Sequence, residues 1–340
     1  MTQFPSLNVG TWNVYLGAEF TPLFEASTPA AVTEAAADVL AKVRETRFPD
    51  RAEALAAVIA RDRPDVLALQ ELGRWDLGDG DSFESLWDFQ EVMLDALERA
   101  GAPYLMVLCS DTFTGELPVD GHQRVRFTSC DALLLRQDPE VQTSVLAIDN
   151  GHFDACLTVS VGAGAHVLPV KRGYVSVDLE RLGRRLRVIV THLDSLSGEI
   201  RMAQAHELIG VAAMSPHPVV IMGDLNSPAT NEVVVGGRTA ASPDGVLELL
   251  ANAGYEDAWV MVHGATAGAT CAERGVVVGE RPLTDRLDFV FYDPDALQAT
   301  DARLAGNEPA DRTLSDAKLW PSDHACVLAT LQFAEPAGRG

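Results

Sequence analysis

Basic residues are scarce in this sequence. The 340-residue chain carries 26 lysines and arginines against 49 aspartates and glutamates, which gives a formal net charge of -23 at pH 7. A surface this acidic repels polyanions over the Debye length unless cations gather locally or metal ions neutralise the binding site. Extended nucleic acid is therefore a disfavoured partner, although a local basic cluster would still permit it.

The sequence also lacks a cysteine motif. No C-x-x-C pair occurs, and most of the cysteines stand beside apolar residues. This pattern predicts buried free thiols and argues against disulfides or a zinc site. The five scattered cysteines are Cys109, Cys130, Cys156, Cys271 and Cys326.

Long apolar runs are missing as well. No stretch is long enough to cross a bilayer, and Met1–Pro5 has neither the basic nor the apolar region of a signal peptide. We therefore expect a cytoplasmic protein with no membrane span. A hydrophobic fraction of 47% supplies a core for one large α/β domain or two ordinary ones. Because no repeat or linker divides the chain, we expect one domain over residues 1–334 and a polar C-terminal tail over 335–340.

Several predicted strands end in polar side chains. The clearest of them, Pro218–Met222, is apolar and rich in β-branched residues, and it stops at Gly223. A buried strand that stops at a glycine delivers the next side chains to the rim of a sheet. The same pattern recurs along the chain. The side chains that it places at predicted strand ends are Asn13, Glu71, His192, Asp194, Asp224 and Asn226.

Two further segments carry their polar groups first. Asp285–Tyr292 and Pro321–Leu328 begin with charged residues and continue as apolar strands, which places Asp288, Asp323 and His324 near their starts. If all of these groups share one rim, these two strands run opposite to the strands described above. The pattern therefore predicts mixed sheets.

Helices and one loop account for much of the remaining chain. The Gly, Ala and Thr content of Val262–Glu280 suits a mobile loop. Apolar residues at helical spacing predict helices that pack against a sheet. These helices cover residues 29–43, 51–61, 83–100, 199–214 and 243–253.

Two polar segments are predicted to be loops. Asp76–Asp81 is acidic and contains glycine, but no bidentate glutamate follows at the EF-hand spacing, so we expect a solvated loop. Asp111–Thr128 carries a basic cluster of His122, Arg124 and Arg126. This cluster either grasps an anionic substrate from a loop over the site or is simply solvated.

The strand-end motifs, taken together and in order, resemble those of the endonuclease/exonuclease/phosphatase superfamily, which has the DNase I-like fold. They are Thr-Trp-Asn, Leu-Gln-Glu, Thr-His-Leu-Asp, Gly-Asp-Leu-Asn, Arg-Leu-Asp-Phe-Val and Ser-Asp-His. The resemblance extends from Leu7 to Phe333. It implies an α/β, four-layer sandwich in which two mixed β-sheets pack face to face, flanked by helices, with the site at one rim.

The resemblance also implies a role for each group. Asn13 and Glu71 match the magnesium-binding pair of the superfamily, and Asp323 matches an additional metal-binding carboxylate. Asp224 matches the residue that orients or deprotonates the attacking water, and Asn226 assists it and contacts phosphate. Hard oxygen ligands with no cysteine nearby suit Mg²⁺ or Mn²⁺ better than zinc.

The two histidines have implied roles of their own. Asp288 matches the residue that holds His324 in the required tautomer, so that His324 donates to a phosphate oxygen or relays a proton. His192 matches a second histidine near the leaving group. Asp194 stands beside it as a candidate for substrate binding.

One position departs from the superfamily pattern. Cys130-Asp131-Ala132 replaces a Gly-Asn-Ala whose asparagine would contact phosphate. The extra negative charge of Asp131 would repel phosphate unless it binds metal or is held by a base such as Arg136. Asp131 is nevertheless retained as a candidate for substrate binding, with Arg124 and Arg126.

These observations predict a divalent-metal-dependent phosphoesterase. Its substrate is expected to be a small or lipid-like phosphorylated molecule, and water is expected to attack directly because no serine or cysteine nucleophile stands out. Two alternatives remain: a nuclease that uses the basic residues near 122–126 or 181–187, and a noncatalytic binding module on the same scaffold. The sequence leaves the oligomeric state open.

Overall fold

A computed structural model describes residues 5–79, 82–137, 143–162, 164, 166–272 and 275–334. The predicted tail over 335–340 lies outside the described residues. The strands are β1 (Ser6–Asn13), β2 (Val66–Gln70), β3 (Arg74–Asp79), β4 (Ser82–Asp88), β5 (Tyr104–Pro118), β6 (Gln123–Arg136), β7 (Thr143–His152), β8 (Leu157–Val161), β9 (His166–Val170), β10 (Gly173–Arg181), β11 (Arg184–His192), β12 (Val219–Asp224), β13 (Val233–Val234), β14 (Thr239–Ala240), β15 (Glu256–Asp257), β16 (Asp288–Tyr292), β17 (Leu297–Ala305) and β18 (Cys326–Phe333).

Helices cover the outer faces of the sheets. None of those in the described ranges is both long enough and apolar enough to cross a membrane. The helices are α1 (Thr21–Phe24), α2 (Pro29–Thr46), α3 (Phe48–Asp62), α4 (Phe89–Arg99), α5 (Gly198–Ala213), α6 (Val246–Asn252) and α7 (Ala258–His263), with 3-10 turns at Val235–Gly237 and Pro309–Asp311.

The architecture is a four-layer sandwich, as predicted. The first sheet has the strand order β17-β18-β1-β2-β6-β3-β4, with β5 also paired to β6, and the second has the order β15-β16-β12-β11-β10-β7. Apolar side chains of the two sheets share a central core. The α2, α3 and α4 helices cover the first sheet and α5 and α6 cover the second.

The apolar runs in the sequence follow from this layering. On β2, Val66 and Ala68 point into the core between the sheets, whereas Leu67 and Leu69 point towards the helices. Successive side chains of a strand point to opposite faces, so a strand buried on both faces must be apolar throughout. The β12 strand follows the same rule, with Val220 facing the other sheet.

The topology gathers the polar strand ends at one rim. The β1 and β2 strands are parallel, and so are β11 and β12, so these strands finish at the same edge. The β16 strand runs antiparallel to β12, and β18 runs antiparallel to β1, so both start there. The prediction of mixed sheets is therefore confirmed. In this register Asp224 lies beside His192 on one side and Asp288 on the other.

Gly223 is required for this close pairing. Its φ angle is 153°, and a Cβ atom at this position would lie 1.8 Å from the carbonyl oxygen of Thr191 on β11. That separation is far below van der Waals contact with a rigid backbone atom. The glycine before Asp224 therefore allows β11 and β12 to bring their polar ends together.

Arg51 fastens the rim to the helical layer. It is fully buried on α3, and its guanidinium donates hydrogen bonds of 2.7 to 2.9 Å to four backbone carbonyls. Two of these carbonyls belong to Val14 and Tyr15, directly after Asn13, and the others belong to Thr46 and Pro321. Arg51 thereby ties together the segments that carry Asn13 and Asp323.

The structure corrects the prediction for residues 76–100. The solvated loop predicted over Asp76–Asp81 is instead largely part of β3, which pairs with β4, while residues 80 and 81 lie outside the described ranges. The helix predicted from Phe83 begins only at Phe89. The physical reason is the side chain of Asp88, which caps α4 by accepting hydrogen bonds from the backbone of its first turn.

The loop predicted over residues 111–128 is also wrong. The β5 and β6 strands extend as an antiparallel hairpin as far as Pro118 and Gln123. Phe113, Leu117, Val125 and Phe127 are buried in the core on the α2 and α3 side of the first sheet. The period-two alternation of these apolar residues is the strand signal that the polar composition obscured.

The prediction that all cysteines are free thiols is wrong for one pair. Cys109 on β5 and Cys130 on β6 form a disulfide, with their Cα atoms 6.1 Å apart. They are 21 residues apart in sequence and meet only because the two strands pair. Cys156, Cys271 and Cys326 are free thiols.

We predict that Arg51→Met destabilises the fold strongly. Methionine fills much of the same buried space but lacks the guanidinium, so several buried carbonyls lose their hydrogen-bond donor. The free energy of unfolding should therefore fall by roughly 3 kcal/mol or more. Chemical denaturation measures this change. The matched control is Arg99→Met, because Arg99 pairs with Glu53 at the surface and such pairs contribute about 0–1 kcal/mol. Equal effects of the two substitutions would contradict the role given to Arg51.

Candidate active site

A cleft opens at the rim where the polar strand ends meet. Its cavity has a volume of about 100 Å³, which is smaller than the usual small-molecule site, and the empty space counted out into open solvent is about 760 Å³. Asp288 and Asp131 lie buried at this rim without lining the cleft. The predicted site residues that line the cleft are Asn13, Glu71, His192, Asp224, Asn226, Asp323 and His324.

Asn13 links the two sheets at the floor of the cleft. Its amide nitrogen donates to Glu71 Oε1 at 3.0 Å and to Asp224 Oδ2 at 3.1 Å. Its amide oxygen accepts a hydrogen bond of 2.9 Å from the backbone N–H of Tyr15. A backbone N–H can only meet the oxygen, so this bond fixes which end of the amide faces the acids.

This orientation changes the role expected for Asn13. The resemblance implied that Asn13 binds magnesium together with Glu71. In the structure the NH₂ group, which cannot bind a cation, faces the carboxylates. In this arrangement the Asn13 NH₂ group contacts Glu71 and Asp224, and its oxygen is engaged by the backbone.

Glu71 and Asp323 form a pair of acids on the first-sheet side of the cleft. Glu71 Oε2 accepts a hydrogen bond of 2.7 Å from the backbone of Leu16, and Asp323 Oδ2 accepts one of 2.9 Å from Gly275. Burial raises the pKa of Glu71, and the negative charge of Asp323 raises it further. A divalent cation between the two would relieve this repulsion.

His324 and Asp288 form the expected pair. His324 Nδ1 lies 2.8 Å from Asp288 Oδ2, and the same oxygen accepts a hydrogen bond of 2.6 Å from Thr270 Oγ1. Burial by itself lowers the pKa of His324, but the charge and hydrogen bond of Asp288 raise it well above 6.5. His324 is therefore suited to hold a proton and to present Nε2 to the cleft.

Thr270 was not identified from the sequence, because it lies in the predicted mobile loop over Val262–Glu280. Part of that loop is instead joined to the site. Cys271 forms β-bridges with both Asp285 and His324. This backbone contact places Thr270 against Asp288.

Asp224 lies between the two histidines. Its Oδ2 is 3.4 Å from His192 Nε2 and 3.9 Å from His324 Nε2, and its Oδ1 accepts a hydrogen bond of 2.8 Å from the backbone of Asn226. Burial raises the pKa of Asp224, the charge of Asp288 raises it further, and His324 lowers it. A raised pKa makes the ionised carboxylate a stronger base.

Arg172 was also missed from the sequence. It is buried immediately before β10, lines the cleft, and donates from Nη1 to His192 Nδ1 at 3.0 Å. An arginine can only donate, so His192 Nδ1 is an acceptor and its proton resides on Nε2, facing Asp224. Strand pairing explains its position: β10 is antiparallel to β11, so the start of β10 lies beside the end of β11 that carries His192.

Asp131 lies behind His192 rather than in the cleft. One of its oxygens is 3.8 Å from His192 Nδ1, and neither oxygen has a hydrogen bond of ordinary geometry within the described residues. Burial raises the pKa of Asp131 to about 7, although the charge of Arg172 lowers it. The base expected to hold Asp131, Arg136, is instead paired with Asp65.

Three predicted substrate-binding residues are not brought to the cleft. Arg124 and Arg126 lie on the β6 face opposite its buried apolar side chains, where both pair with Glu116. Asp194 is fully buried, and its Oδ1 accepts hydrogen bonds from the backbone of Leu196 and Ser197. These predictions are corrected: the arginines belong to a surface ion-pair cluster, and Asp194 shapes the turn before α5.

The donor atoms offer more than one place for a metal. Asp224, Asp288 and His324 each present a ligand atom, and these atoms lie within 4.8 Å of one another. However, Asp288 Oδ2 is already occupied by His324 Nδ1 and Thr270 Oγ1. Glu71 and Asp323 pair with no histidine: their oxygens accept hydrogen bonds from Asn13, from Ser322 and from two backbone N–H groups, and carboxylate oxygens are the ligands that a hard divalent ion prefers.

The fold and this rim define the DNase I-like class of α/β proteins, with two mixed sheets between helices and an acid- and histidine-lined cleft. Within that class, the chain belongs to the Endonuclease/Exonuclease/phosphatase family, whose family model matches residues 10–324. Members of this family are generally metal-dependent phosphoesterase hydrolases. No curated protein matches the chain significantly.

Solved structures support the same fold at low sequence identity. A family member from Leptotrichia buccalis is 16% identical with a TM-score of 0.56, covering 96% of this chain and 100% of its own. One from Beutenbergia cavernae is 21% identical with a TM-score of 0.57, covering 97% and 72%. TDP2 from D. rerio, complexed with a single-strand DNA product, is 16% identical with a TM-score of 0.56, covering 96% and 99%.

We predict that Asp131→Asn makes stability less dependent on pH. The folded-state pKa of Asp131, about 7, lies above the ordinary value of 3.8, so the folded protein binds the extra proton between these values. The contribution of Asp131 to wild-type stability should therefore be greatest at low pH and should be lost as the pH rises through 7. Between pH 5 and pH 7 the asparagine variant should gain roughly 1–3 kcal/mol relative to wild type. Denaturation at constant Mg²⁺ measures this difference, and a difference that does not change with pH would contradict the assignment.

Proposed function

We propose that this protein hydrolyses a small or lipid-like phosphoester, with a divalent metal ion as cofactor and a water molecule as the direct nucleophile. The observation that carries the proposal is the excess of acid at the cleft. Three carboxylates line it, from Glu71, Asp224 and Asp323, and two more, from Asp131 and Asp288, lie buried beside it. Such a cluster suits a site that holds a cation and, through it, a phosphate.

Glu71 and Asp323 would hold the metal. Both present carboxylate oxygens, the ligand type that Mg²⁺ and Mn²⁺ prefer, and Asn13 and the backbone N–H groups of Leu16 and Gly275 orient them. When bound, the ion would neutralise the negative charge that develops on the phosphate oxygens.

Asp224 would orient and deprotonate the attacking water. Its raised pKa, its position between His192 and His324, and its hydrogen bond from Asn13 give it a fixed direction and sufficient basicity. Asp224 is buried and held by these neighbours, so its orientation is set before the substrate arrives.

The two histidines would stabilise the phosphate during attack. His324, protonated through Asp288, would donate from Nε2 to a nonbridging oxygen. His192, with its proton on Nε2, would donate near the leaving oxygen, and Arg172 fixes that tautomer. Asn226 lines the cleft beside Asp224 and supplies a further polar contact.

The nuclease alternative has one supporting observation and one against it. A structurally similar protein, TDP2, was solved with a DNA product. Against it, Arg124 and Arg126, the basic residues expected to contact nucleic acid, are paired with Glu116 away from the cleft. Cleavage of single- or double-stranded DNA or RNA at low salt would favour this alternative.

We predict that Asp224→Asn and His324→Ala abolish turnover while the fold persists. Both remove a proton-transfer group at the rim rather than a core side chain, so kcat should fall at least about 100-fold. Bis-p-nitrophenyl phosphate with Mg²⁺ or Mn²⁺ provides the assay, and circular dichroism checks folding. Asp301→Asn and His122→Ala, at exposed positions, are the matched controls. Near wild-type rates for either site variant would show that these roles are wrong.

We predict that Glu71→Gln weakens Mn²⁺ binding at least about tenfold, because an amide is a much poorer ligand for a hard cation than a carboxylate. Isothermal titration measures the affinity without relying on activity. Glu84→Gln, at an exposed position on β4, is the control. If wild-type protein binds no divalent ion, the noncatalytic binding module becomes the better account.

A further inference from the structure

One side of the cleft is apolar. Five side chains form this surface, which we call the apolar wall, and they come from four separate parts of the chain. Phe20 and Phe24 are only partly buried, and Leu196 at the mouth is 45% exposed. The apolar wall consists of Phe20, Phe24, Phe113, Val170 and Leu196.

Aromatic packing holds most of the apolar wall in place. The ring of Phe20 stacks on Trp75 with centroids 6.1 Å apart, meets Phe113 edge-on at 5.4 Å, and contacts Phe127 at 4.8 Å. Phe24 stacks against Phe20 at 6.2 Å. Rings fixed from several sides lose little entropy when a ligand covers them, so the surface is preorganised.

The apolar wall adjoins the groups proposed to act on phosphate. The backbone N–H of Leu16 donates to Glu71, and its carbonyl accepts from the indole of Trp75, which stacks on Phe20. At another point of the apolar wall, Val170 stands two residues before Arg172, which contacts His192. A phosphate held near Glu71 and His192 would therefore place its attached group beside the apolar wall.

The charges around the cleft disfavour a second anionic group. Among the described residues that line it, Arg172 is the only lysine or arginine, and Arg172 already contacts His192. The acidic residues Glu71, Asp224 and Asp323 line the cleft. A further phosphate or carboxylate on the substrate would meet acid, whereas an apolar group would bury the exposed rings.

We propose that the apolar wall binds an uncharged alkyl or aryl group carried by the phosphate, so that the substrate is a phosphoester of an apolar alcohol. This inference rests on the proposed function for the phosphate end of the substrate. It adds the class of the organic group.

Phosphonates test the proposal because they keep the phosphate-like group and are not hydrolysed. The affinities of methyl-, benzyl-, octyl- and 7-carboxyheptylphosphonate are measured by titration calorimetry with Mn²⁺ present. Each methylene that becomes buried should tighten binding by about fourfold. We expect octyl- or benzylphosphonate to bind at least about tenfold tighter than methylphosphonate, and the carboxylated chain to lose this advantage. Comparing the affinities of octyl- and benzylphosphonate shows whether the apolar wall prefers an alkyl chain or an aromatic ring.

A matched pair of variants tests the surface itself. Leu196→Ser should reduce the preference for octyl- over methylphosphonate about threefold or more. The control is Leu314→Ser, the same change at a position that is 94% exposed and lies outside the cleft. This control should leave the preference unchanged. Equal binding of methyl- and octylphosphonate, or no phosphonate binding at all, would overturn the proposal. Hydrolysis is measured separately: absent turnover with a retained octyl preference would refute the proposed function alone.

Discussion

The hydrogen bonds of one amide hold the candidate active site together. Asn13 stands at the end of β1 in the first sheet, and its NH₂ group donates to Glu71 in the same sheet and to Asp224 in the second. The backbone N–H of Tyr15 fixes the direction of that amide. Two buried acids from different sheets can therefore lie close to one another, because a shared donor offsets part of their repulsion.

The rest of the rim compensates for buried charge in a similar way. Arg51 lies beneath it and satisfies four carbonyls, Thr270 donates to Asp288, and Arg172 contacts His192. These groups do not neutralise all of the acid: the pKa of Glu71 is raised by burial and by Asp323. A cation bound at this cleft would offset the remaining repulsion and raise the stability of the protein.

Much of the fold and part of the site followed from the sequence, for a physical reason. Asn13, Glu71, Asp224 and His324 adjoin buried strands, and a strand leaves a readable apolar run. Arg172 precedes its strand, so its position depended on knowing which strands pair.

Errors arose where tertiary contacts outweigh local composition. The local composition predicts a basic loop for Arg124 and Arg126, yet the buried side chains of Val125 and Phe127 place both arginines on the outer face of a hairpin. Asp194 appeared to be a rim acid, but it bonds to its own turn. The Cys109–Cys130 disulfide depends on strand pairing that no spacing rule reveals.

A crystal structure with Mn²⁺ and phosphate tests the proposed metal site at Glu71 and Asp323 directly. We expect anomalous density between Glu71 and Asp323, with phosphate beside His324. Density between Asp224 and Asp288, or none at this rim, would contradict the proposed metal site.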